Sequence, residues 1–338
     1  MTAADTAWTA LAKWQPQRLT DLVTSGGDAR VAAMVQHVAD IRFDFAKTHL
    51  DAAAIAALSA VAEAGDYSGR RRALFGGEVA NPTEGRAAEH TAERGEGAAD
   101  SVLRAQQFHQ RMRLLIDAIE AGAFGEIRHL LHIGIGGSAL GPDLLIDALG
   151  RRSDRYDVAV VSNVDGAALQ SVFNRFDPAT TLVAIASKTF TTTETMLNAA
   201  SALQWLEEGG VADPFGRVVA LTAYPDKAVA WGVDETRVLP FSESVGGRYS
   251  LWSSIGFPAA LALGWDAFAE MLEGAAEMDR HVRLTDGIDN VALLAAFVDQ
   301  LYANRLGCQT RALFAYDERL RLLPSYLQQL EKIGRAHV

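Results

Sequence analysis

Hydrophobic positions follow a helical period over much of the first 125 residues. Residues 1–65 are rich in alanine and place apolar side chains three or four positions apart, which predicts helices. The clearest series is Val31, Val35, Val38, Ile41 and Phe45. A further helix is predicted from about Asp100 to Ala121. The segment between them, residues 66–100, is polar and glycine-rich, so we expect it to lie outside the core.

After Gly125 the pattern changes to short apolar runs that alternate with helical segments. The five runs lie in residues 129–137, 157–165, 181–188, 217–224 and 237–241. The helical segments between them are Gly141–Leu149, Ala167–Phe173, Thr193–Leu206 and Asp226–Trp231. Continuous apolar strands that alternate with helices predict an α/β fold, whose parallel sheet is covered by flanking helices on both faces. Ligands of such sheets bind at the carboxyl ends of the strands.

The rest of the chain is predicted to be mainly helical. The uncharged stretch Tyr249–Trp265 contains serines, glycine and proline, and indicates a buried helix of a soluble protein rather than a membrane span. Residues 265–306 return to a helical period. Residues 311–316, RALFAY, predict the first strand of a further sheet.

Composition and charge exclude several classes of protein. The 31 Lys and Arg residues against 42 Asp and Glu residues give a net charge of −11, which argues against nucleic-acid and membrane partners. Cys308, the single cysteine, excludes internal disulfides and thiolate-rich zinc sites, and we expect it to be a small core residue. The first 14 residues lack the basic and apolar regions of a secretion signal, so we expect a cytoplasmic protein.

The first apolar run ends in a glycine-rich turn, GIGGSALGP, at residues 134–142. Glycines allow a ligand to approach the backbone, a following helix points free N–H groups at it, and Ser138 adds a hydroxyl, all of which suit a phosphate. The same turn matches the loose dinucleotide pattern through Gly134, Gly136 and Ala139. An NAD-dependent dehydrogenase and a tight turn without a ligand therefore stay open as alternatives.

The third run leads into a second candidate phosphate loop, SKTFTTTET, at residues 187–195. Its hydroxyl side chains are Ser187, Thr189, Thr191, Thr192, Thr193 and Thr195. Together with the ammonium group of Lys188 and the start of a helix, they suit a phosphate dianion. The alternative is that one threonine caps the helix and the others face solvent.

A third loop, SESVGGRYS at residues 242–250, places Arg248 after two glycines and before an apolar segment. An arginine in this position can stabilise negative charge that develops during a reaction. The alternative is a structural ion pair with a nearby carboxylate.

Together these motifs resemble the glucose-6-phosphate isomerase family, and the resemblance runs from about residue 40 to Gln329. It rests on residues 134–142, 187–195 and 246–256, and on residues 323–329, LPSYLQQ. An upstream region also contributes, through Asn81, Thr83, Glu84, Arg86, His90 and Arg94. Four motifs in family order make the resemblance far more specific than the glycine-rich turn alone.

The resemblance implies two sugar isomerase (SIS) domains and the reversible isomerisation of glucose 6-phosphate and fructose 6-phosphate through an enediol, without metal or cofactor. It divides the chain into an N-terminal helical region (1–122), a first SIS domain (123–265) and the start of an incomplete second SIS domain (266–338). It also implies a homodimer for the full-length protein, with a hexose phosphate as its small-molecule partner. A SIS-type module that binds sugar phosphate without turnover is the alternative.

By the same resemblance, Arg248 stabilises the enediolate intermediate. The residues implied to hold the phosphate and the sugar are Gly137, Ser138, Ser187, Lys188, Thr189, Thr192, Gly247 and Gln329.

The sequence departs from the family directly after Gln329. In the family, a Met-Glu-Ser-Asn-Gly-Lys motif follows and its glutamate is the catalytic base, whereas here Ile333 holds that place. Glu331 is two positions early, about 7 Å away along an extended chain. The family's later histidine and lysine would lie beyond residue 338, and His337 is in the wrong motif to replace the histidine. We therefore expect this 338-residue chain to be inactive as an isomerase.

Overall fold

A computed structural model describes residues 2–152 and 155–331. The helices are α1 Ala3–Lys13, α2 Leu19–Met34, α3 Ala52–Ala64, α4 Tyr67–Phe75, α5 Ala99–Glu120, α6 Leu140–Leu149, α7 Gly166–Phe173, α8 Thr193–Glu208, α9 Pro225–Trp231, α10 Phe257–Leu263, α11 Trp265–Leu284, α12 Val291–Asn304 and α13 Leu323–Leu330. The strands are β1 Val35–Val38, β2 Ile41–Asp44, β3 His129–Gly134, β4 Asp157–Val161, β5 Thr181–Ala186, β6 Val218–Thr222 and β7 Val238–Pro240. The mixed α/β class is as predicted.

The chain forms two compact units, each assembled from two separate segments. The first consists of Met1–Ala80 and Gly274–Ala312, and the second of Asn81–Glu273 and Leu313–Val338. The second unit includes α5, which the predicted division places in the N-terminal region. The boundaries at residues 122 and 265 describe SIS domains rather than compact units, and they stay a prediction.

The first unit is a helical assembly with one β-hairpin. Its core joins side chains from its helices and connecting loops, namely Leu11, Trp14, Met34, Leu50, Leu58, Leu294, Phe297 and Leu301. The predicted helical period through Phe45 is wrong, because β1 and β2 pair as an antiparallel hairpin with Val38 opposite Ile41. Ala39 and Asp40, at its tip, have φ angles of 50° and 58°. Two consecutive left-handed residues reverse the chain and allow the two short strands to pair.

The second unit contains a five-stranded parallel sheet in the order β4-β3-β5-β6-β7, which confirms the five predicted strands. Strands β5 and β6 are buried along their whole length, because helices cover both faces. On one face, Leu130, Leu182, Leu221 and Leu239 pack with side chains of α5 and α10. On the other face, Leu131, Ile133, Val183 and Ile185 pack with side chains of α7, α8 and α9.

The strand order creates a crevice between β3 and β5. From β3 the chain crosses to β4 on one side, and from β4 it crosses back over β3 to β5 on the other side. The connections that leave the carboxyl ends of β3 and β5 therefore diverge, and parallel sheets bind ligands at such a point. The glycine-rich turn at residues 134–142 and the hydroxyl-rich loop at residues 187–195 both begin there.

Two predictions about polar and apolar segments are wrong. Residues 66–100 contribute α4 and several buried side chains, and Glu93 is only 3% exposed. Its Oε2 lies 3.3 Å from Nε2 of His109 but accepts no hydrogen bond among the described residues. Residues 311–316 form no strand in the described chain, since no described strand pairs with them, and Tyr316 is 99% exposed.

The stretch Tyr249–Trp265 is buried as expected but is not one helix. It consists of the 3-10 helices Gly247–Trp252 and Ser254–Gly256, followed by α10. A Cβ atom at Gly256 would lie 2.4 Å from the ring of Phe268, so the chain packs too closely there for any larger residue. Among the described residues, no helix is both long and apolar enough to cross a membrane.

Cys308 is exposed, which contradicts the prediction of a core position. It lies after α12, and its thiol makes only a long contact of 3.9 Å to the carbonyl oxygen of Leu306. The segment in which it lies, residues 305–317, forms no helix or strand in the described chain and is largely exposed, so the apolar character of the thiol does not decide its location.

We expect Cys308 to react with a thiol reagent in the native protein at close to the rate measured in denaturant, because the thiol is exposed. Cys308→Ser should change the free energy of unfolding by less than about 0.5 kcal/mol. Native-state labelling with a chromogenic disulfide and urea unfolding measure the two quantities. Labelling that appears only after unfolding would contradict the exposed position.

Candidate active site

The turn after β3 is shaped by glycines and by one buried histidine. Gly136 has a φ angle of +57°, and a Cβ atom on Gly134 would lie 2.8 Å from the carbonyl oxygen of Ser138. Beneath the turn, the ring nitrogen Nε2 of His132 lies 2.7 Å from the same carbonyl oxygen. Because a carbonyl only accepts, Nε2 carries the proton, and Nδ1 is buried without a partner among the described residues. Burial lowers the pKa of His132 to about 4, so the ring is neutral near pH 7.

The turn after β3 touches the third loop through two glycines. A Cβ atom on Gly137 would lie 2.2 Å from the carbonyl oxygen of Gly247 and 2.7 Å from the amide nitrogen of Arg248. Only a residue without a side chain permits this approach. Two motifs that are more than 100 residues apart in the sequence are thus in backbone contact, and Ser138 and Arg248 are neighbours of that contact.

In the second loop, hydroxyl groups bond mainly to one another. The Oγ of Ser187 and the Oγ1 of Thr192 are 3.0 Å apart, and the Oγ1 of Thr191 donates to that of Thr189 over 2.9 Å. Thr192 occupies the N-cap position of α8 but makes no side-chain cap. The hydroxyls of Ser187 and Thr192 are therefore held as a pair at the start of α8, beside its free amide groups.

Phe190 holds this loop in place, and the sequence analysis missed it. Its φ angle is 52°, which is unusual for a residue with a side chain and costs about 1–2 kcal/mol. Its ring is only 3% exposed and meets the ring of Trp231 edge-on at 5.9 Å. Burial of the ring offsets the backbone strain. The signal in the sequence was a single aromatic residue within a run of hydroxyl side chains.

Lys188 joins the second loop to the third. Its ammonium group donates to the carbonyl oxygens of Glu243 and Val245, at 2.7 and 2.9 Å. Burial lowers its pKa, with a further contribution from the positive charge of Arg86, while Glu84 and Glu243 act in the opposite direction. The ammonium group therefore donates two of its three N–H groups to backbone carbonyl oxygens, and the third can donate to a ligand.

Arg248 has no carboxylate partner in the part of the chain that the structure describes. Its guanidinium carbon lies 4.8 Å from the ring centre of Tyr249, and its Nε is buried without a partner. A half-buried cation that stacks on a ring and lacks an anion is well suited to bind one.

Helix α13 brings Gln329 to the same edge of the sheet. This helix packs against the Gly136–Ser138 turn and the Gly247–Trp252 segment, and Gln329 is buried. Tyr326, on the same helix, packs with Leu144 and Leu251, and burial raises its pKa to about 12. Ile333 and His337, which the sequence analysis discussed, lie outside the described residues.

A segment at residues 89–94 supports the third loop from outside, and sequence reasoning assigned it only by resemblance. His90 stacks on the ring of Tyr249 at 4.8 Å, and the guanidinium carbon of Arg94 lies 4.7 Å from the ring centre of Trp252. Burial, followed by the charge of Arg94, lowers the pKa of His90 to about 4. The ring is thus neutral where it stacks.

Glu93 and His109 complete this support beneath the loop. Nε2 of His109 lies 2.8 Å from the carbonyl oxygen of Trp252 and 3.3 Å from Oε2 of Glu93. The ring therefore donates toward the backbone of the third loop, and the carboxylate lies beside the same proton. The backbone that follows Arg248 is fixed by buried polar groups.

Among the described residues, no group of three or more His, Cys, Asp and Glu side chains is placed to hold a metal ion. Asp165 is the acidic residue that a dinucleotide site would need after the second strand of the sheet. Its carboxylate instead caps α7, by accepting from the amide of Ala167 at 3.0 Å. The geometry thus offers a crevice for an anion rather than a ribose-binding carboxylate.

Comparison with known proteins gives consistent matches. The family model described as phosphoglucose isomerase matches residues 44–335. A glucose-6-phosphate isomerase of Sphingopyxis alaskensis is 77% identical, over 98% of this chain and 66% of that protein. The one from Rhizorhabdus wittichii is 67% identical over the same shares of the two chains. A crystal structure of a glucose-6-phosphate isomerase from Chlamydia trachomatis has a TM-score of 0.86 at 26% identity, over 97% of this chain and 66% of that chain. The chain thus spans 66% of the length of these relatives.

We expect Gly137→Ala to destabilise the protein by at least about 2 kcal/mol, because the new methyl group would overlap the backbone of Gly247. Gly247→Ala is the matched control from the other side of the same contact. A Cβ atom there meets nothing within 4 Å, so we expect a change below about 1 kcal/mol. Urea unfolding measures both. Equal effects of the two substitutions would contradict the contact.

His132 should make stability depend on pH. The ring stays neutral in the folded protein down to about pH 4, whereas in the unfolded chain it takes up a proton near pH 6.5. Its contribution is therefore complete above pH 6.5 and is lost as the pH falls toward 4. The loss is about 3 kcal/mol, from about 1.4 kcal/mol per pKa unit.

Urea unfolding between pH 7 and 4 measures this dependence. Glutamine keeps an N–H donor but does not titrate. We therefore expect His132→Gln to lower, by about one, the number of protons taken up on unfolding between pH 6.5 and 4, as given by the slope of the free energy of unfolding against pH. Exposed His37→Gln is the control and should leave the dependence unchanged. An identical slope in wild type and His132→Gln would rule out the buried neutral ring.

Proposed function

Because the chain belongs to the phosphoglucose isomerase family, we propose that it carries the phosphosugar-binding face of a glucose-6-phosphate isomerase site. The reaction interconverts glucose 6-phosphate and fructose 6-phosphate through an enediol. The observation that carries the proposal is the convergence of three motif loops on one crevice, fixed by the contact between Gly137 and Gly247 and by the bonds of Lys188.

The phosphate binds at the crevice between β3 and β5. Ser138 precedes α6, and Ser187, Thr189 and Thr192 precede α8, so hydroxyls and free amide groups are available from two helix starts at this crevice. The positive ends of both helix dipoles favour a dianion. This local field is needed because the chain as a whole carries a charge of −11.

Arg248 stabilises the negative charge of the enediolate. Its guanidinium group is held against Tyr249, and its backbone is fixed by Gly137 and by the segment at residues 89–94. A donor that is positioned before the reaction does not need to reorganise when charge develops, which lowers the barrier. Gln329 contacts the sugar from α13, and Gly247 allows the ligand to approach the backbone.

The proton transfer between C1 and C2 needs a base, and we propose that the sequence as given does not place one. The position that corresponds to the family's glutamate holds Ile333, which cannot accept a proton. Glu331, two positions earlier, is exposed. The 338-residue chain would then bind sugar phosphates without turnover. By family analogy, we further propose a cytoplasmic homodimer for the full-length enzyme.

Thermal unfolding with added ligand tests the binding. Glucose 6-phosphate at 100 times its Kd should stabilise the chain by about 2.7 kcal/mol, and glucose at the same concentration should not. Arg248→Gln should retain binding of inorganic phosphate but bind a sugar-phosphate mimic of the enediolate at least tenfold more weakly. Exposed Arg175→Gln is the charge-matched control.

A coupled assay for fructose 6-phosphate tests turnover by the same preparation. We expect no rate above background. Turnover by the 338-residue chain would show that another group acts as the base, whereas equal stabilisation by glucose and glucose 6-phosphate would overturn the phosphate site itself.

A further inference from the structure

A separate cavity lies at the opposite edge of the parallel sheet from the candidate active site. It has a volume of about 560 Å³ and is lined by residues that precede three strands. Ala179 lies two residues before β5, and Arg217 and Arg237 directly precede β6 and β7. All strands of the sheet are parallel, so this cavity opens at their amino ends, whereas the motif loops follow their carboxyl ends.

Arg217 lines the cavity and has no hydrogen-bond or ion-pair partner for its guanidinium group among the described residues. It ends the 3-10 helix Phe215–Arg217, and its Nη1 is fully buried with no hydrogen-bond acceptor among the described residues. Its Nη2 lies beside the backbone at Gly125, where a Cβ atom would be 3.8 Å away. The guanidinium group is thus packed by its surroundings but not neutralised by them.

Arg237 also lines the cavity and has an unpartnered guanidinium nitrogen. Its Nε is buried and has no acceptor in the described chain. The carboxylate of Asp234 interacts with the charge of Arg237. Its pKa is lowered mainly by hydrogen bonds from Thr236, with Arg237 making the smallest contribution, and the two side chains form no ion pair. Both arginines line the cavity, and neither forms an ion pair with a carboxylate in the described chain, so both guanidinium groups keep their positive charge unneutralised there.

The other walls define what would fit. Phe124 and Val211 supply apolar surface, and Asp213 is the one carboxylate among the lining residues. The Oδ1 of Asp213 accepts from the amide of Gly216 at 3.0 Å, so this carboxylate is bound to its own loop rather than to either arginine. The lining therefore carries a net positive charge, in a chain whose total charge is −11. The volume falls in the range of small-molecule sites, about 300–1,000 Å³.

We propose that this cavity binds a small metabolite anion, with Arg217 and Arg237 each donating to a phosphate or carboxylate group of the ligand. The planar fork of a guanidinium group matches both groups, because each offers two oxygens in one plane. The organic part of the ligand packs on Phe124 and Val211. The site is independent of the sugar-phosphate site and does not rest on the proposed isomerase activity.

Isothermal titration calorimetry with two probes, inorganic pyrophosphate and citrate, tests the site. The wild-type chain, Arg217→Gln/Arg237→Gln and the charge-matched control Arg42→Gln/Arg319→Gln are compared. Arg42 and Arg319 are exposed and paired to Asp44 and Asp317, so the control removes two positive charges elsewhere. We expect at least tenfold weaker binding of one equivalent of probe in the cavity variant and no change in the control.

Further variants keep the result interpretable. Arg217→Lys/Arg237→Lys retains both charges but removes the forks, and should also weaken binding about tenfold. Val211→Glu leaves both arginines in place and puts a negative charge on the wall, so it should abolish this binding even if the glutamine variant does not fold. Arg248 lies at the other edge of the sheet. Arg248→Gln should therefore leave the affinity for this one equivalent of probe unchanged.

The relative affinities of the two probes show which class of metabolite anion the cavity prefers. Preference for pyrophosphate indicates a phosphorylated metabolite, and preference for citrate indicates a carboxylated one; either supports the proposal. Binding of both probes with equal affinity and stoichiometry to wild type, the glutamine variant and Val211→Glu would overturn it. So would a wild-type chain that binds neither probe.

Discussion

The backbone contact between Gly137 and Gly247 fixes the geometry on which the candidate site depends. Strand β3 lies near one side of the sheet, and β7 is the edge strand on the other. The loop that follows β7 approaches the turn after β3 this closely because Gly137 has no side chain: a Cβ atom there would lie 2.2 Å from the carbonyl oxygen of Gly247. This contact brings Arg248, from the segment after the edge strand β7, beside the turn that contains Ser138. Lys188 lies in the loop after β5. Its ammonium group donates to the carbonyl oxygens of Glu243 and Val245, in the loop after β7.

Buried polar groups then stabilise what the glycines permit. His132 donates to the carbonyl oxygen of Ser138, and His109 donates to that of Trp252, so one histidine ring supports each side of the crevice. Phe190 adds an apolar anchor at the price of a strained backbone. These contacts are made before any ligand arrives, which is the condition for fixed donors to stabilise developing charge.

Positive charge is distributed unevenly over an acidic chain. Arg248 has no carboxylate partner at the carboxyl edge of the sheet, and Arg217 and Arg237 have none at the amino edge, within the described residues. Other arginines form ion pairs at the exposed surface, as Arg128 does with Glu126. Surface pairs contribute little to stability, whereas an unpaired, partly buried guanidinium group retains its ability to bind an anion.

The five strands, their intervening helices and the three motif loops could be predicted from the sequence. Strands buried on both faces are continuous apolar runs, and the motif residues are contiguous, so both signals are local. The predictions failed where a local pattern had two solutions. The spacing of Val35, Val38 and Ile41 fits a helix as well as a hairpin, and left-handed Ala39 and Asp40 decided for the hairpin. RALFAY has the composition of a strand, but no described strand pairs with it.

The sequence alone therefore determined the order of the strands and helices, and which residues follow the carboxyl end of each strand. Only the tertiary structure decided which of these loops touch. It also decided that His132 lies under Ser138, that Glu93 is buried, and that Arg217 and Arg237 share one cavity. The physical reason is that such contacts join residues far apart in the chain, and their energies depend on burial and on close approach, which no local pattern records.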